Sequence, residues 1–84
     1  MRLDKWLWQA RFFKSRALAS RHVEEKRCRI DGRVVDKPHA VVVPGNVLAF
    51  ALGPKVRVVR ILALGNRRGP ASEARSLYEE IEIG

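Results

Sequence analysis

Leu3, Trp6, Leu7 and Ala10 recur at i, i+3, i+4 and i+7, the stripe of an amphipathic helix. Arg2, Lys5 and Gln9 take the opposite side, and the helix is expected to end near Arg11 and Phe12. Phe12-Phe13-Lys14 then makes a short connection, as in a tight corner between two helices. Ser15 is a good N-cap. It opens a second helix, through about Glu25, whose inward stripe is Ala19, His22 and Val23.

Beyond this point the period shortens. Cys28-Arg29-Ile30 and Arg33-Val34-Val35 flank Asp31-Gly32, a strong two-residue hairpin signal, because both turn residues need positive φ. Asp36-Lys37-Pro38 breaks the pattern, and Val41-Val42-Val43 leads into Pro44-Gly45, a pair suited to a type II turn. Residues 47–52 read as a strand, Gly53-Pro54 as a turn, and Val56 to Leu64 as another strand. Residues 65–70 form a basic loop rich in Gly and Pro. After it, Ala74, Leu77, Tyr78 and Ile81 return to helical spacing and predict a short C-terminal helix. The order α-α-β-β-β-β-α, with helices segregated from a small antiparallel sheet, is an α+β layout.

An 84-residue chain has room for one core, and an apolar fraction of 46% is enough to pack it rather than leave it disordered. A lone cysteine, Cys28, cannot form an internal disulfide, which excludes a disulfide-rich secreted scaffold. No apolar stretch approaches the ~18–20 residues of a membrane span. Met1 to Lys5 is not followed by the apolar run of a signal peptide. A soluble cytoplasmic domain with no membrane partner is therefore expected.

Charge changes the picture most. Seventeen Lys and Arg against nine Asp and Glu give +8, a balance that attracts polyanions. It is uneven: residues 1–29 carry net +6, residues 30–64 net +3 and residues 65–84 net −1. A basic surface kept only for solubility is the plainer reading. Concentration in one segment favours nucleic acid, and the same basic surface is open to RNA and DNA.

Catalytic constellations are scarce. His22 and His39 have no cysteine cluster or further histidine at zinc-ligand spacing. No nucleophile elbow and no phosphate-cradling glycine motif occurs. Asp31 is explained by its turn and His22 by its place on an inner stripe. No enzyme activity, metal or cofactor is expected. The positive signal is a cation cluster. Arg11, Lys14 and Arg16 surround the start of the second helix, where free N–H groups and Ser15 already favour an anion. Lys26, Arg27 and Arg29 follow where that helix hands over to the hairpin, and Arg33 and Lys37 lie on or after it. These groups are expected to share a face if the helix packs beside the hairpin. Trp6 belongs to the core stripe. Trp8 lies off it, and either packs under the C-terminal segment or stacks on a base.

Three stretches carry a family likeness: Arg2-Leu3-Asp4-Lys5-Trp6-Leu7-Trp8, Ala10-Arg11-Phe12, and Lys14-Ser15-Arg16-Ala17-Leu18-Ala19. With residues 29–38 and Val43-Pro44-Gly45, they resemble the S4-type RNA-binding domain over about residues 2–52. The opening, together with residues 68–74 and Leu77-Tyr78-Glu79-Glu80, resembles the small bacterial ribosome-associated heat-shock family of fifteen kilodaltons. The resemblance implies an αL motif of two helices packed on a small sheet. It further implies RNA bound across helices and hairpin, with Arg2, Arg11, Lys14, Ser15, Arg16, Arg29 and Arg33 facing it. Lys5, Lys26, Arg27 and Lys37 complete the candidate surface.

The partner so implied is rRNA of the large ribosomal subunit, with tRNA. The role is recycling of free subunits that still carry a nascent chain on tRNA after stress. A guiding module of an rRNA-modifying enzyme and a structural ribosomal protein are the alternatives. The S4-type domain is expected over residues 1–64, the basic loop and short helix over 65–84, and the chain is expected to be a monomer. Lys26 stands where the family commonly has Gly, so a left-handed cap there carries strain and the helix is expected to end differently. Asn46 replaces the usual Asp after Pro-Gly and is expected to alter little. The family's long basic C-terminal extension is not seen before Gly84, so contacts made by such an extension are not expected.

Overall fold

Helix α1 (Leu3–Gln9) buries Leu3, Trp6 and Leu7 as its stripe requires, and its polar side is also largely covered. A computed structural model describes residues 1–82. Gln9, expected on the solvent side, is 1% exposed. Its Nε2 donates to the Leu64 carbonyl at 3.0 Å, beside a bond from Trp6 Nε1 to the Ala63 carbonyl, also at 3.0 Å. α1 is thus held between α2 (Arg16–Glu24) and the segment that leaves the sheet.

Both helices end on a left-handed residue that is not glycine: Arg11 at φ 66° and Lys26 at φ 62°. After α1, the Arg11 and Phe12 N–H groups donate to the carbonyls of Trp8 and Leu7. After α2, those of Lys26 and Arg27 donate to Val23 and His22. Each pair closes a helix end on carbonyls that would otherwise lack partners. The expectation that α2 would avoid a left-handed Lys26 is therefore corrected. The cap forms despite the strain because it satisfies two carbonyls and leaves a cation at the negative end of the helix dipole.

The strands are β1 (Cys28–Ile30), β2 (Arg33–Val35), β3 (Val47–Leu52) and β4 (Lys55–Ile61), joined by an unexpected β5 (Tyr78–Glu80). They form one antiparallel sheet in the order β2-β1-β3-β4-β5. Asp31 and Gly32 both have positive φ, as the hairpin reading requires. Val41 and Val43 stay exposed around buried Val42, with a single bridge to Arg2. On β3 and β4, Leu48, Phe50, Val59 and Ile61 are buried on the helix side. The intervening Ala49, Ala51, Val56 and Val58 alternate to the other face. Phe12 packs on Phe50 and Tyr78, with ring centroids 4.8 and 4.6 Å away. Cys28 lies in this core, where burial pushes its thiol pKa up to about 12.

Two local expectations change. The short C-terminal helix exists, but only as α3 (Ala71–Ala74), continued by a 3-10 turn at Arg75–Leu77. Tyr78, expected on its stripe, instead pairs with Ile61 in the sheet. β4 correspondingly stops short of Leu64, since the N–H groups of Leu62 and Ala63 turn to the Leu77 carbonyl. Asn46 is not neutral either. Its Nδ2 donates to Asp31 Oδ2 at 2.9 Å and its Oδ1 accepts from the Val43 N–H at 2.8 Å. An aspartate would have no donor for Asp31. Ile83 and Gly84, part of the segment assigned to 65–84, lie outside the described residues.

Lys26→Gly is expected to stabilise the fold by about 0.5–1 kcal/mol, because glycine takes the left-handed cap without a Cβ penalty. Lys26→Val is expected to destabilise it. Thermal unfolding of the two variants checks both; equal midpoints would show that the cap is unstrained.

Candidate nucleic-acid interface

The first turn of α1 is built around one buried carboxylate. Asp4 is 1% exposed. Its Oδ1 accepts from the Lys5 N–H at 2.8 Å and from Arg2 Nε at 3.1 Å. Its Oδ2 accepts from Arg2 Nη2 at 3.0 Å, Ser20 Oγ at 2.8 Å and Arg16 Nε at 3.5 Å. Burial alone would raise the pKa of Asp4. The Ser20 hydroxyl, the Arg2 and Arg16 guanidiniums and the Lys5 N–H outweigh it and leave the group below its ordinary value. One carboxylate thereby fixes α1 to α2 and positions two arginines whose side chains are 50% and 42% exposed. Arg16 keeps both terminal nitrogens free of Asp4.

The same end of α1 is closed by the chain that follows the hairpin. The N–H groups of Leu3 and Asp4 donate to the carbonyls of Ala40 and Pro38, at 2.8 and 3.2 Å. That brings the backbone next to exposed Lys37 against the first turn of α1, the turn that carries Lys5 and follows Arg2. At α2, Ser15 acts as the N-cap, its Oγ accepting from the Leu18 N–H at 3.1 Å. Among the described residues no protein acceptor meets the N–H groups of Arg16 and Ala17. Lys14 is exposed immediately before them.

The candidate cations do not all share a face, which corrects the sequence expectation. Register pairs Arg29 with Val34 and Ile30 with Arg33. Side chains alternate along a strand, so Arg33 takes the helix side with Ile30 and Arg29 the opposite side. Lys26 and Arg27 join Arg29 around a cavity on that opposite side. Arg11 is engaged within the fold, its Nε donating to the Gly69 carbonyl at 2.7 Å. The surface thus divides into a helix-side group of Arg2, Lys5, Lys14, Arg16, Arg33 and Lys37, and a second group of Lys26, Arg27 and Arg29.

Two further arginines matter. Arg21 is exposed on α2 with no acidic partner among the described residues; the local excess of cations was its only sequence signal. Arg68 donates to the carbonyls of Trp8 and Phe13 and lies 5.5 Å from the Trp8 ring centroid. Trp8 is therefore packed beneath the C-terminal segment, the first of its two sequence readings. No spacing rule could link residues sixty positions apart. Elsewhere, arginines are matched by glutamates: Arg57 with Glu80, Arg60 with Glu79 at 2.6 Å and Arg67 with Glu73 at 2.8 Å.

His22 packs on Phe13, and burial pushes its pKa down. His39 is exposed. Among the described residues no group of three or more metal-ligating side chains occurs, and no helix is long and apolar enough to cross a membrane.

Asp4→Asn is expected to destabilise the fold by about 2 kcal/mol at neutral pH. Because the folded pKa lies below the unfolded one, Asp4 contributes stability above the ordinary carboxylate range and loses it as pH falls through the folded value. The difference between wild type and variant should shrink as pH falls toward about 3. Denaturant unfolding at several pH values checks this; a constant difference would contradict it.

The S4 domain pattern matches residues 1–48. Heat shock protein 15 of Escherichia coli strain K12 is 44% identical over 80 residues, spanning 95% of this chain and 59% of that protein. The chain thus spans about three fifths of the length of that relative. The RQC P-site tRNA stabilizing factor of Listeria monocytogenes serovar 1/2a is 33% identical over 82 residues, covering 98% of this chain and 87% of the factor. The structure of Vibrio cholerae heat shock protein 15, described as trimeric, superposes with a TM-score of 0.91 at 37% identity. That match covers 96% of this chain and 81% of the other. The chain belongs to the S4 domain family, in the group that contains heat shock protein 15.

Proposed function

We propose that this chain is a ribosome-associated RNA-binding protein that acts by occupancy rather than by chemistry. The observation that carries the reading is how charge is disposed around Asp4. The guanidiniums of Arg2 and Arg16 converge there on one buried acid, next to the open N–H groups of α2, with Lys5 and Lys14 close by in sequence. Phosphates supply the missing negative charge, with arginine offering paired N–H donors and lysine a point charge. Glu73, Glu79 and Glu80 lie away from it and match arginines of β4 and of the loop before α3.

The specific RNA is rRNA of the large subunit together with tRNA, and the role is recycling of free subunits that carry a nascent chain on tRNA. The likeness to heat shock protein 15 and to a factor named for P-site tRNA stabilization supports this reading. A cytoplasmic location goes with it. RNA binding spans the 1–64 unit, and the described part of the 65–84 segment, residues 65–82, braces it. Binding one arrangement of subunit and tRNA better than another shifts their populations without any bond being made or broken. Nothing supports DNA as a partner. A monomer also lacks support, the Vibrio cholerae relative being trimeric.

Neutralisation of six to eight phosphates gives a slope of log K against log salt of about −4 to −7. Lys14→Ala and Arg16→Ala should each weaken binding to large-subunit rRNA and reduce that slope by about one. Arg75→Ala, on the exposed 3-10 turn, should leave both unchanged. Filter binding across a salt series reads all three; an equal loss in the Arg75 variant would misplace the site.

The non-catalytic reading has its own test. His22→Gln combined with His39→Gln removes the side chains that ordinarily titrate near neutrality. RNA binding and subunit recycling should persist in the folded double variant. Lost recycling with binding and fold intact would reveal chemistry at a histidine.

A further inference from the structure

The outer face of the sheet carries a shallow cavity of about 150 Å³ where α2 passes into β1, lined in part by Lys26, Arg27, Arg29, Ala49, Ala51 and Val56. Its shape follows from register. Arg29 stands beside Ala49, and Ala51 stands beside Val56. Two small side chains on the central strand make a floor between a cationic wall and an apolar one. Val56 is 61% exposed. The cations keep donors to spare. Arg27 meets Glu25 only at 3.7 Å between two half-exposed side chains, and Arg29 spends one terminal nitrogen on the Gly32 carbonyl. Lys26 is exposed at its left-handed cap.

We propose that this trough is a nucleotide subsite, in which one unpaired base lies on Ala49, Ala51 and Val56 while Lys26, Arg27 and Arg29 hold its flanking phosphates. The inference rests on the RNA-binding reading and extends it to the face opposite Asp4. Charge complementarity selects the occupant. The wall is uniformly cationic on a chain of net charge +8, and the apolar floor is small, Ala49 and Ala51 with Val56 beside them, in a cavity of about 150 Å³. Every base has an apolar face, and guanidinium planes stack on it, so such a site accepts single strands with little sequence preference. A strand leaving the helix side around the end of α2 would meet this trough next. Lys26, Arg27 and Arg29 then have a use distinct from that of the Asp4 group.

The test is an amide chemical-shift titration of the whole chain with a uridine decanucleotide, alongside an abasic decamer and decaglutamate as probes. The uridine strand should shift the amides of residues 26–29 and 49–56, whereas neither of the other probes should shift residues 49–56. Ala51→Glu, with unchanged thermal unfolding, should abolish those shifts and weaken uridine-strand binding about tenfold. It should leave the Arg16-dependent binding of large-subunit rRNA within about twofold. Shifts confined to residues 14–18 would overturn the subsite while leaving the RNA-binding reading intact. Equal shifts of residues 49–56 with decaglutamate would make the trough a peptide site, and equal shifts there with the abasic strand would remove the base from it. Silence with the uridine strand also overturns the subsite; the rRNA salt series decides the broader reading separately. If Ala51→Glu unfolds, Val56→Ser takes its place, with the same losses expected.

Discussion

A buried carboxylate surrounded by arginines at the first turn of α1 organises this molecule. Asp4 has lost nearly all contact with water, and a buried charge without partners would be strongly destabilising. It is kept ionised by donors from three separate places: the turn itself, Ser20 and Arg16 of α2, and Arg2 at the N-cap of α1. The join between the helices at this end and the aim of two exposed guanidiniums depend on that contact, while residues 38–40 dock on the same turn through backbone hydrogen bonds. Arg2 and Arg16 are thus ordered before any ligand arrives, which lowers the entropy cost of meeting a phosphate.

Charge elsewhere is arranged so that this surface stays unopposed. The acidic C-terminal segment folds back as β5, where Glu79 and Glu80 meet Arg60 and Arg57 on the neighbouring strand. Arg68 and Arg11 lock the intervening loop onto the end of α1 through backbone carbonyls. The net −1 of residues 65–84 is therefore used locally and does not screen the N-terminal cations. Folding separates the charges into a matched edge and an open face, and the open face is the one a polyanion can use.

Much of this was readable in the chain. The stripe of Leu3, Trp6 and Leu7, the Ser15 cap, the Asp31-Gly32 hairpin and the strand at 47–52 each depend on neighbours in sequence, and local physics fixes them. What was illegible depends on partners far along the chain. Gln9 reads as polar surface until Leu64 offers it a carbonyl. Tyr78 reads as helical until Ile61 offers it a strand to pair with. Lys26 accepts a strained backbone because its turn completes the helix end. The candidate cations were recognisable as a group, but their split between two faces appears only with the strand register that sets Arg29 against Val34 and Arg33 against Ile30.

The central claim is that Asp4 serves RNA binding by positioning Arg2 and Arg16, even though its own charge opposes a polyanion. Asp4→Asn separates these effects, because it raises the net charge by one unit and removes the anchor. The decisive measurement is the affinity of the folded variant for large-subunit rRNA at one fixed salt concentration, beside wild type. Positioning predicts binding weaker by about tenfold, the loss of roughly one charge-assisted contact. Binding as tight as wild type or tighter would mean that net charge alone governs the interaction, and would contradict the account.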